Sequence, residues 1–314
     1  MAIMNDNYLF ARRFSRSWGP LVLLLPGFCL YLLIAVGPSL ATAVYSFTDA
    51  TGIRNIPIRW IGFDNYDEFL LKGRASRDNI DALKRTLIFS FLVTTIQFSL
   101  GLLLALLVNQ RLKGSTFFRT LFFMPVILGV AIQGLIWKLF LLPNGGPMAR
   151  AGELVGFESE FLGGQPTQAF MWVIVVQIWA NVGITMVIFL AGLQTIPTDY
   201  YEAARIDGAG RWQLFRNVTW PLLTPAINTN FLLNIVGSLQ AWQLFLVLLG
   251  YRNGTQVLGY LVFAEGFGQT SGSVSTGFRQ GYAAAASIAL FFLVLLIALS
   301  ANFLVARREK TYMA

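Results

Sequence analysis

Residues 169–193 read AFMWVIVVQIWANVGITMVIFLAGL, a run without one charged side chain. About 20 mainly apolar residues suffice to cross a bilayer as a helix, since roughly 30 Å is covered at about 1.5 Å per residue. Five further segments qualify on either side of it: Leu21 to Tyr45, Thr86 to Val108, Thr120 to Leu142, Leu222 to Gly250 and Ala283 to Ala306. Each is predicted helical, because backbone groups facing lipid have no other partners and these runs are too long for barrel strands. The expected fold is all-α, a polytopic integral membrane helical bundle of six transmembrane helices.

Composition agrees. Of 314 residues, 56% are hydrophobic and only 12% are charged, against about a quarter charged in an average soluble chain. The chain has no His and a single Cys, Cys29, inside an apolar run. That excludes intrachain disulfides, Cys-rich zinc sites and Ser-His-Asp or Cys-His triads, so neither a catalytic nor a metal site is expected. No G-x-x-x-x-G-K-[ST] occurs, so the chain carries no P-loop of its own. The net charge of +8 does not read as a nucleic-acid surface, because the Lys and Arg flank apolar runs and form no single basic stretch.

Those flanking charges give an orientation. Arg12, Arg13 and Arg16 precede the first span, and Arg111, Lys113 and Arg119 lie between the second and third. Arg205, Arg211 and Arg216 lie between the fourth and fifth, and Arg307, Arg308 and Lys310 follow the sixth. By the positive-inside rule these segments are cytoplasmic, with both termini inside. Glu153, Glu158 and Glu160 then fall outside. Residues 46–85 mix Arg54, Arg59, Lys72, Arg74, Arg77, Lys84 and Arg85 with Asp64, Asp67, Glu68, Asp78 and Asp81, and read as a small folded extracytoplasmic loop element. The first span, with its basic start and Ala41-Thr42-Ala43, has the outline of a signal peptide. Signal-peptide cores are about 7–15 residues, shorter than this run, so it is read as a retained span. Gly37-Pro38, Met124-Pro125, Pro221 and Pro225 lie within or beside spans and predict irregular helices.

Between the fourth and fifth spans, residues 194–221 read as helix, sharp turn and second helix. Pro197 precedes the first helix, Thr198 is a candidate N-cap, and Asp199 and Glu202 suit a helix N-terminus. Ala203 and Ala204 favour helix and permit close approach of another surface. Gly208 supplies a left-handed position, and Pro221 ends the second helix, which carries Trp212, Leu214, Phe215 and Val218 among Arg211 and Arg216. Such a partly apolar cytoplasmic segment docks either on a partner or under the chain's own helices.

The spacing Glu202-Ala203-Ala204, Gly208, Pro221 resembles the signature cytoplasmic loop of ABC importer permeases, with Val218 and Trp220 where that pattern has Ile and Leu. The wider chain is similar to the maltose-type, carbohydrate-importing branch. Matching pieces are Leu24-Leu25-Pro26-Gly27, Trp60 to Tyr66, Phe118-Arg119 to Met124-Pro125, Ile196 to Pro225, and Gly281 to Ala285. The resemblance implies a single permease domain over residues 1–314, with 194–221 the cytoplasmic coupling loop. It implies ATPase-coupling roles for Glu202, Ala203, Ala204, Asp207, Gly208 and Pro221. It also implies the partners: a second permease subunit, two ATPase subunits that bind ATP and Mg, an extracytoplasmic sugar-binding protein and the lipid bilayer. No cofactor is implied in this chain and no nucleic acid. The implied location is a bacterial or archaeal cytoplasmic membrane. The branch departs at Gly250-Tyr251-Arg252-Asn253-Gly254, where a Thr-Gly-Gly-Pro-like turn is common, and Gly268 to Gly277 looks inserted.

Polar side chains within spans are costly and therefore informative. Gln177, Asn181 and Thr185 in the fourth span, with Trp179 beside them, and Asn230, Asn234, Ser238 and Trp242 in the fifth recur every four residues. They form either a substrate path with aromatic platforms or ordinary interhelical hydrogen bonds. Gln97 and Gln133 lie near the middles of the second and third spans. No carboxylate lies at mid-depth, which suits an uncharged cargo; the resemblance implies a sugar, with glycerol phosphate or a related polyol, which related permeases carry, the alternative. Lys138, near a span end, can snorkel. An ion-coupled secondary transporter would need intramembrane ionisable groups and usually internal repeats. A membrane enzyme would need a catalytic centre that the sequence lacks.

Overall fold

The structure, a computed structural model, describes residues 19–71, 73–110, 114–154, 156, 161–250, 252, 254–271, 274–276 and 278–313. Arg12, Arg13, Arg16, Lys72, Arg111, Lys113, Glu158, Glu160, Tyr251, Asn253 and Gly277 lie outside the described residues. The first span comprises α1 (Gly19–Tyr31), a wide turn at Leu32–Val36, and α2 (Gly37–Tyr45). Then follow α3 (Asp64–Leu70), α4 (Gly73–Asn109), α5 (Ser115–Ile127), α6 (Val130–Phe140), α7 (Pro147–Leu154) and α8 (Pro166–Gln194). The second half holds α9 (Thr198–Ile206), α10 (Arg211–Leu214), a wide turn at Phe215–Thr219, α11 (Trp220–Leu222), α12 (Thr224–Leu239), α13 (Gln243–Leu249), α14 (Leu258–Phe267) and α15 (Gln280–Met313). A two-stranded antiparallel ribbon pairs β1 (Gln269–Ser271) with β2 (Val274–Thr276) inside the otherwise helical fold.

Four helices are long and apolar enough to cross a membrane, and six spans result if each bent pair counts as one. The third expected span is not one helix: α5 and α6 meet at 101°. Pro125 cannot donate a backbone bond, and Leu128 and Gly129 turn to extended backbone, ψ 134° and 148°. The fifth expected span does not run unbroken to Gly250 either. It stops at Leu239, and Gln240–Trp242 separate it from α13. Residues 73–85, expected in the external loop, belong to α4.

The core forms where α4, α8 and α13 converge, with Tyr260 of α14 packed in. Phe89, Val93, Phe170, Val173 and Phe245 are buried there. Small residues permit the crossings. A Cβ on Gly183 would lie 2.2 Å from the Phe122 carbonyl oxygen, so α5 rides on the bare backbone of α8. Gly101 against Thr185 and Gly134 against Val247 allow two more close approaches. The first span stands apart: none of its most apolar stretch is buried inside the chain, against 61% for α8.

Candidate functional site

Both helix breaks open onto one cavity of about 450 Å³. Leu128 and Val130 line it from the α5–α6 break, Gln240, Trp242 and Gln243 from the α12–α13 break, and Gln177 and Asn181 from the middle of α8. Irregular backbone at membrane depth is tolerated where it lines such a cavity or is buried in protein. Gln133 shows how the break is kept: its buried Nε2 donates to the Pro125 carbonyl at 2.8 Å and the Leu128 carbonyl at 3.0 Å. Carbonyls released by the end of α5 are thereby satisfied. Asn181 Nδ2 donates to the Gln177 carbonyl at 3.0 Å. The lining is amide-rich and includes no Asp, Glu, Lys or Arg.

The sequence-derived path residues divide. Gln177, Asn181 and Trp242 line the cavity. Trp179 is half-buried and meets Trp137 edge to face at 5.5 Å, away from the lining. Asn230, Asn234 and Ser238 are buried in a polar seam among α4, α8 and α12. Asn234 Oδ1 accepts from Gln97 Nε2 at 2.9 Å and from the Thr185 hydroxyl at 3.2 Å. Ser238 Oγ lies 2.7 Å from Ser90 Oγ, and Asn230 Nδ2 donates to the Thr185 carbonyl at 3.3 Å. Gln240 and Gln243 are the lining amides the sequence reading passed over. Their signal was the Gln-Ala-Trp-Gln interruption of an apolar run. Lys138 is exposed in the last turn of α6.

At the C-terminal end of α8 the loop of residues 194–221 is ordered. Pro197, with extended backbone, holds the N-cap position of α9, and no side chain caps it; Thr198 is already helical, which corrects its expected role. The helix closes on Gly208 at φ +82°. Gly208 N–H donates to the Arg205 carbonyl and Ala209 N–H to the Ala204 carbonyl, at 3.0 and 2.9 Å, the paired bonds of a Schellman stop. Pro221 does not end the second helix as expected. It opens the last turn, α11, and the chain bends by 69° at Leu223. One face of the loop packs inward: Tyr201, Phe215 and Trp220 lie on a cluster containing Ile196 and Leu223, and Tyr201 Oη is 3.1 Å from Thr219 Oγ1. The other face is free. Glu202, Ala203, Asp207 and Gly208 are exposed, as are Ile206 at 87% and Trp212 at 69%.

Residues 97–310 match the family described as binding-protein-dependent transport system inner membrane component. That stretch contains both breaks, the cavity and the whole of residues 194–221. The chain belongs to this family. It is a transport subunit and a multi-pass protein of the cytoplasmic membrane. A multiple sugar-binding transport system permease protein of Streptococcus mutans is 31% identical over 282 residues, 89% of this chain and 92% of the relative. An sn-glycerol-3-phosphate transport system permease protein of Agrobacterium fabrum is 29% identical, over 90% of this chain and 92% of the relative. A crystal structure of a bacterial alginate ABC transporter in complex with an alginate pentasaccharide-bound periplasmic protein superposes with a TM-score of 0.79 at 25% identity, covering 95% of this chain and 98% of that one. The permease therefore works in an importer assembled with partner proteins.

Proposed function

We propose that this permease carries a neutral carbohydrate through the cavity between the two helix breaks, delivered by an extracytoplasmic binding protein. The supporting observation is the cavity's chemistry: Gln133, Gln177, Asn181, Gln240 and Gln243 with Trp242, and no ionisable side chain. Amides donate and accept hydrogen bonds to hydroxyls, and an indole face packs on a sugar's C–H surface. A cavity of about 450 Å³ falls within the roughly 300–1,000 Å³ of small-ligand sites. The relative that carries glycerol phosphate supplies the second reading. A phosphate favours a cationic partner, and this lining contains none.

A second permease subunit completes the path, and two ATPase subunits, holding ATP and Mg, drive it. Their contact on this chain is the exposed face of residues 194–221: Glu202, Ala203, Ala204, Asp207 and Gly208, with Pro221 supporting the bend. Both termini lie in the cytoplasm, as the basic clusters require, and residues 46–85 face outward.

The test is uptake by the reconstituted importer. Asn181→Leu is expected to reduce sugar uptake while leaving the purified complex at normal stoichiometry. Excess neutral sugar should compete with transport and glycerol phosphate should not. Competition by glycerol phosphate alone would replace the carbohydrate reading with the second one, and unimpaired uptake by Asn181→Leu would remove the cavity from the path.

A further inference from the structure

Helix α14 links the cavity to the external surface. At ten residues it is too short to span a bilayer, at about 1.5 Å of rise per residue. On one side it presents Phe263, whose ring stacks on Trp242 at 4.5 Å and 20°. Trp242 is the indole of the cavity wall. Two residues on, Glu265 faces Arg279, which precedes α15. Arg279 Nη1 lies 4.0 Å from the Glu265 carboxylate, and Arg279 N–H donates to the Glu265 carbonyl at 2.8 Å. Arg279 Nη2 lies 2.5 Å from Glu68 on α3, and its guanidinium sits 4.3 Å over the Tyr282 ring. Burial pushes the Glu265 carboxyl above its ordinary range, opposed by Arg279 and reinforced by Glu68.

The α3 end of this linkage is itself fixed. Asn65 Nδ2 donates to the Ser46 and Thr48 carbonyls at 2.9 and 2.8 Å, and Tyr66 Oη to Ser46 Oγ at 2.8 Å. Gly281 N–H donates to the Ala50 carbonyl at 2.8 Å, and a Cβ at Gly281 would meet the Thr48 carbonyl oxygen at 1.9 Å. Asn79 Nδ2 donates to Tyr282 Oη at 2.7 Å and to the Phe69 carbonyl at 2.9 Å. The external segment, α3, the start of α15 and α14 thus form one hydrogen-bonded body, with Phe263 as its contact to the cavity.

We propose that Arg279 is a positioning residue for transport: by tying Glu265 on α14 to Glu68 on α3, it holds Phe263 against Trp242 and fixes the aromatic wall of the cavity. This role rests on the reading of the cavity as the cargo path. It assigns the external segment a second task, since whatever displaces α3 from outside moves the indole at the cavity through α14. The ion pairs suit that task. Arg279 is held by two carboxylates and a ring, a charge-assisted arrangement stronger than neutral bonds.

The experiment reconstitutes the complete importer with its sugar-loaded binding protein and measures uptake and stimulated ATP hydrolysis together. The variants are Trp242→Ala, Phe263→Ala, Arg279→Gln, Arg279→Lys and Glu68→Gln. Phe263→Ala and Arg279→Gln are expected to lower sugar moved per ATP by roughly 2- to 30-fold, the range over which couplings through packed side chains are modulated. Trp242→Ala should do the same, and Arg279→Lys should retain most of the function. The half-saturating concentration of loaded binding protein should stay unchanged, which a docking residue or a merely unstable complex would not show. If Arg279→Gln does not assemble, Glu68→Gln and Phe263→Ala carry the same reading. Normal sugar per ATP in Phe263→Ala and Glu68→Gln with an impaired Trp242→Ala overturns the positioning role and leaves the cavity standing. Normal transport in Trp242→Ala as well removes the cavity reading itself. A raised half-saturation with normal sugar per ATP makes Arg279 a docking residue and likewise overturns the proposal.

Discussion

The loop that follows α8 and the cavity beside the middle of α8 share that helix, yet they are built in opposite ways. The loop is contiguous, residues 194–221, and its conformation is decided locally. Pro197 sets the start of α9, Gly208 closes it with a positive φ, and Gln213 Oε1 accepts from Gly210 N–H at 2.7 Å to begin the next helix. The cavity draws on α5, α6, α8, α12 and α13, and its shape depends on two helix breaks meeting in space. A glycine matters in each region for a different reason. Gly208 has no atom within 4 Å of where a Cβ would sit, so only its dihedral constrains it; Gly183 has an ordinary helical backbone and no room.

The largest effect is therefore expected at Gly183. Leu in that position must displace the Phe122 backbone, and overpacking of this kind costs about 1–3 kcal/mol or more. Backbone cannot step aside as a flexible side chain can, so α5 would lift from α8 and the cavity would lose its shape. Gly183→Leu should abolish uptake and sharply reduce recovery of the complex from detergent, and Gly183→Ala should show a weaker form of both. Full recovery and uptake in Gly183→Leu would mean that the α5–α8 crossing is not what holds the cavity.

Gly208 should give a smaller and more selective effect. A β-branched residue at φ +82° is strained by about 1–2 kcal/mol, enough to shift the turn but not to disturb α8. Gly208→Val should insert and assemble, while uptake and stimulated ATP hydrolysis fall together. Gly208→Asn, which tolerates the left-handed region, should behave nearly as the parent. Uptake and hydrolysis unchanged in both Gly208→Val and Glu202→Lys would disconnect the loop from the ATPase.

This contrast also explains what the sequence could reveal. Hydropathy located the four unbroken apolar helices and the regions of the two bent pairs, because the bilayer imposes length and composition on each separately. The loop was legible for the same local reason: its stop signal is Gly208 and its helix carries Glu202-Ala203-Ala204. The breaks were only partly legible: Met124-Pro125 predicted irregularity near the first, but neither bend could be located. Leu128-Gly129 sits inside a run whose hydropathy continues across it, Gln240-Ala241-Trp242-Gln243 interrupts its run without marking a helix end, and the Gln133 bonds to Pro125 and Leu128 show how a bent span is satisfied. Helix α14 was missed because ten apolar residues fall short of a span. The four-residue stripe of Asn230, Asn234 and Ser238 located one face of α12 correctly in space but could not tell a seam from a lining, since both reward polar groups at that spacing.

The smallest effect separates those two possibilities. Ser238 Oγ lies 2.7 Å from Ser90 Oγ and 3.0 Å from the Ile235 carbonyl, with 3% of the residue exposed. Replacing it by Ala deletes one hydroxyl, leaves the helix contour intact and removes its contacts with Ser90 Oγ and, at 3.3 Å, Thr94 Oγ1, of a kind that average about 0.6 kcal/mol each between membrane helices. Ser90 and Thr94 do not become orphans, because a helical Ser or Thr hydroxyl can donate to a carbonyl of its own preceding turn. Ser238→Ala should lower the melting temperature of the purified complex slightly and leave the rate of sugar uptake within error of the parent, whereas Asn181→Leu, on the cavity lining, should do the reverse. Loss of uptake in Ser238→Ala at unchanged thermal stability would place the α4–α12 seam in the path of the cargo and enlarge the site from the two helix breaks to the full length of α12.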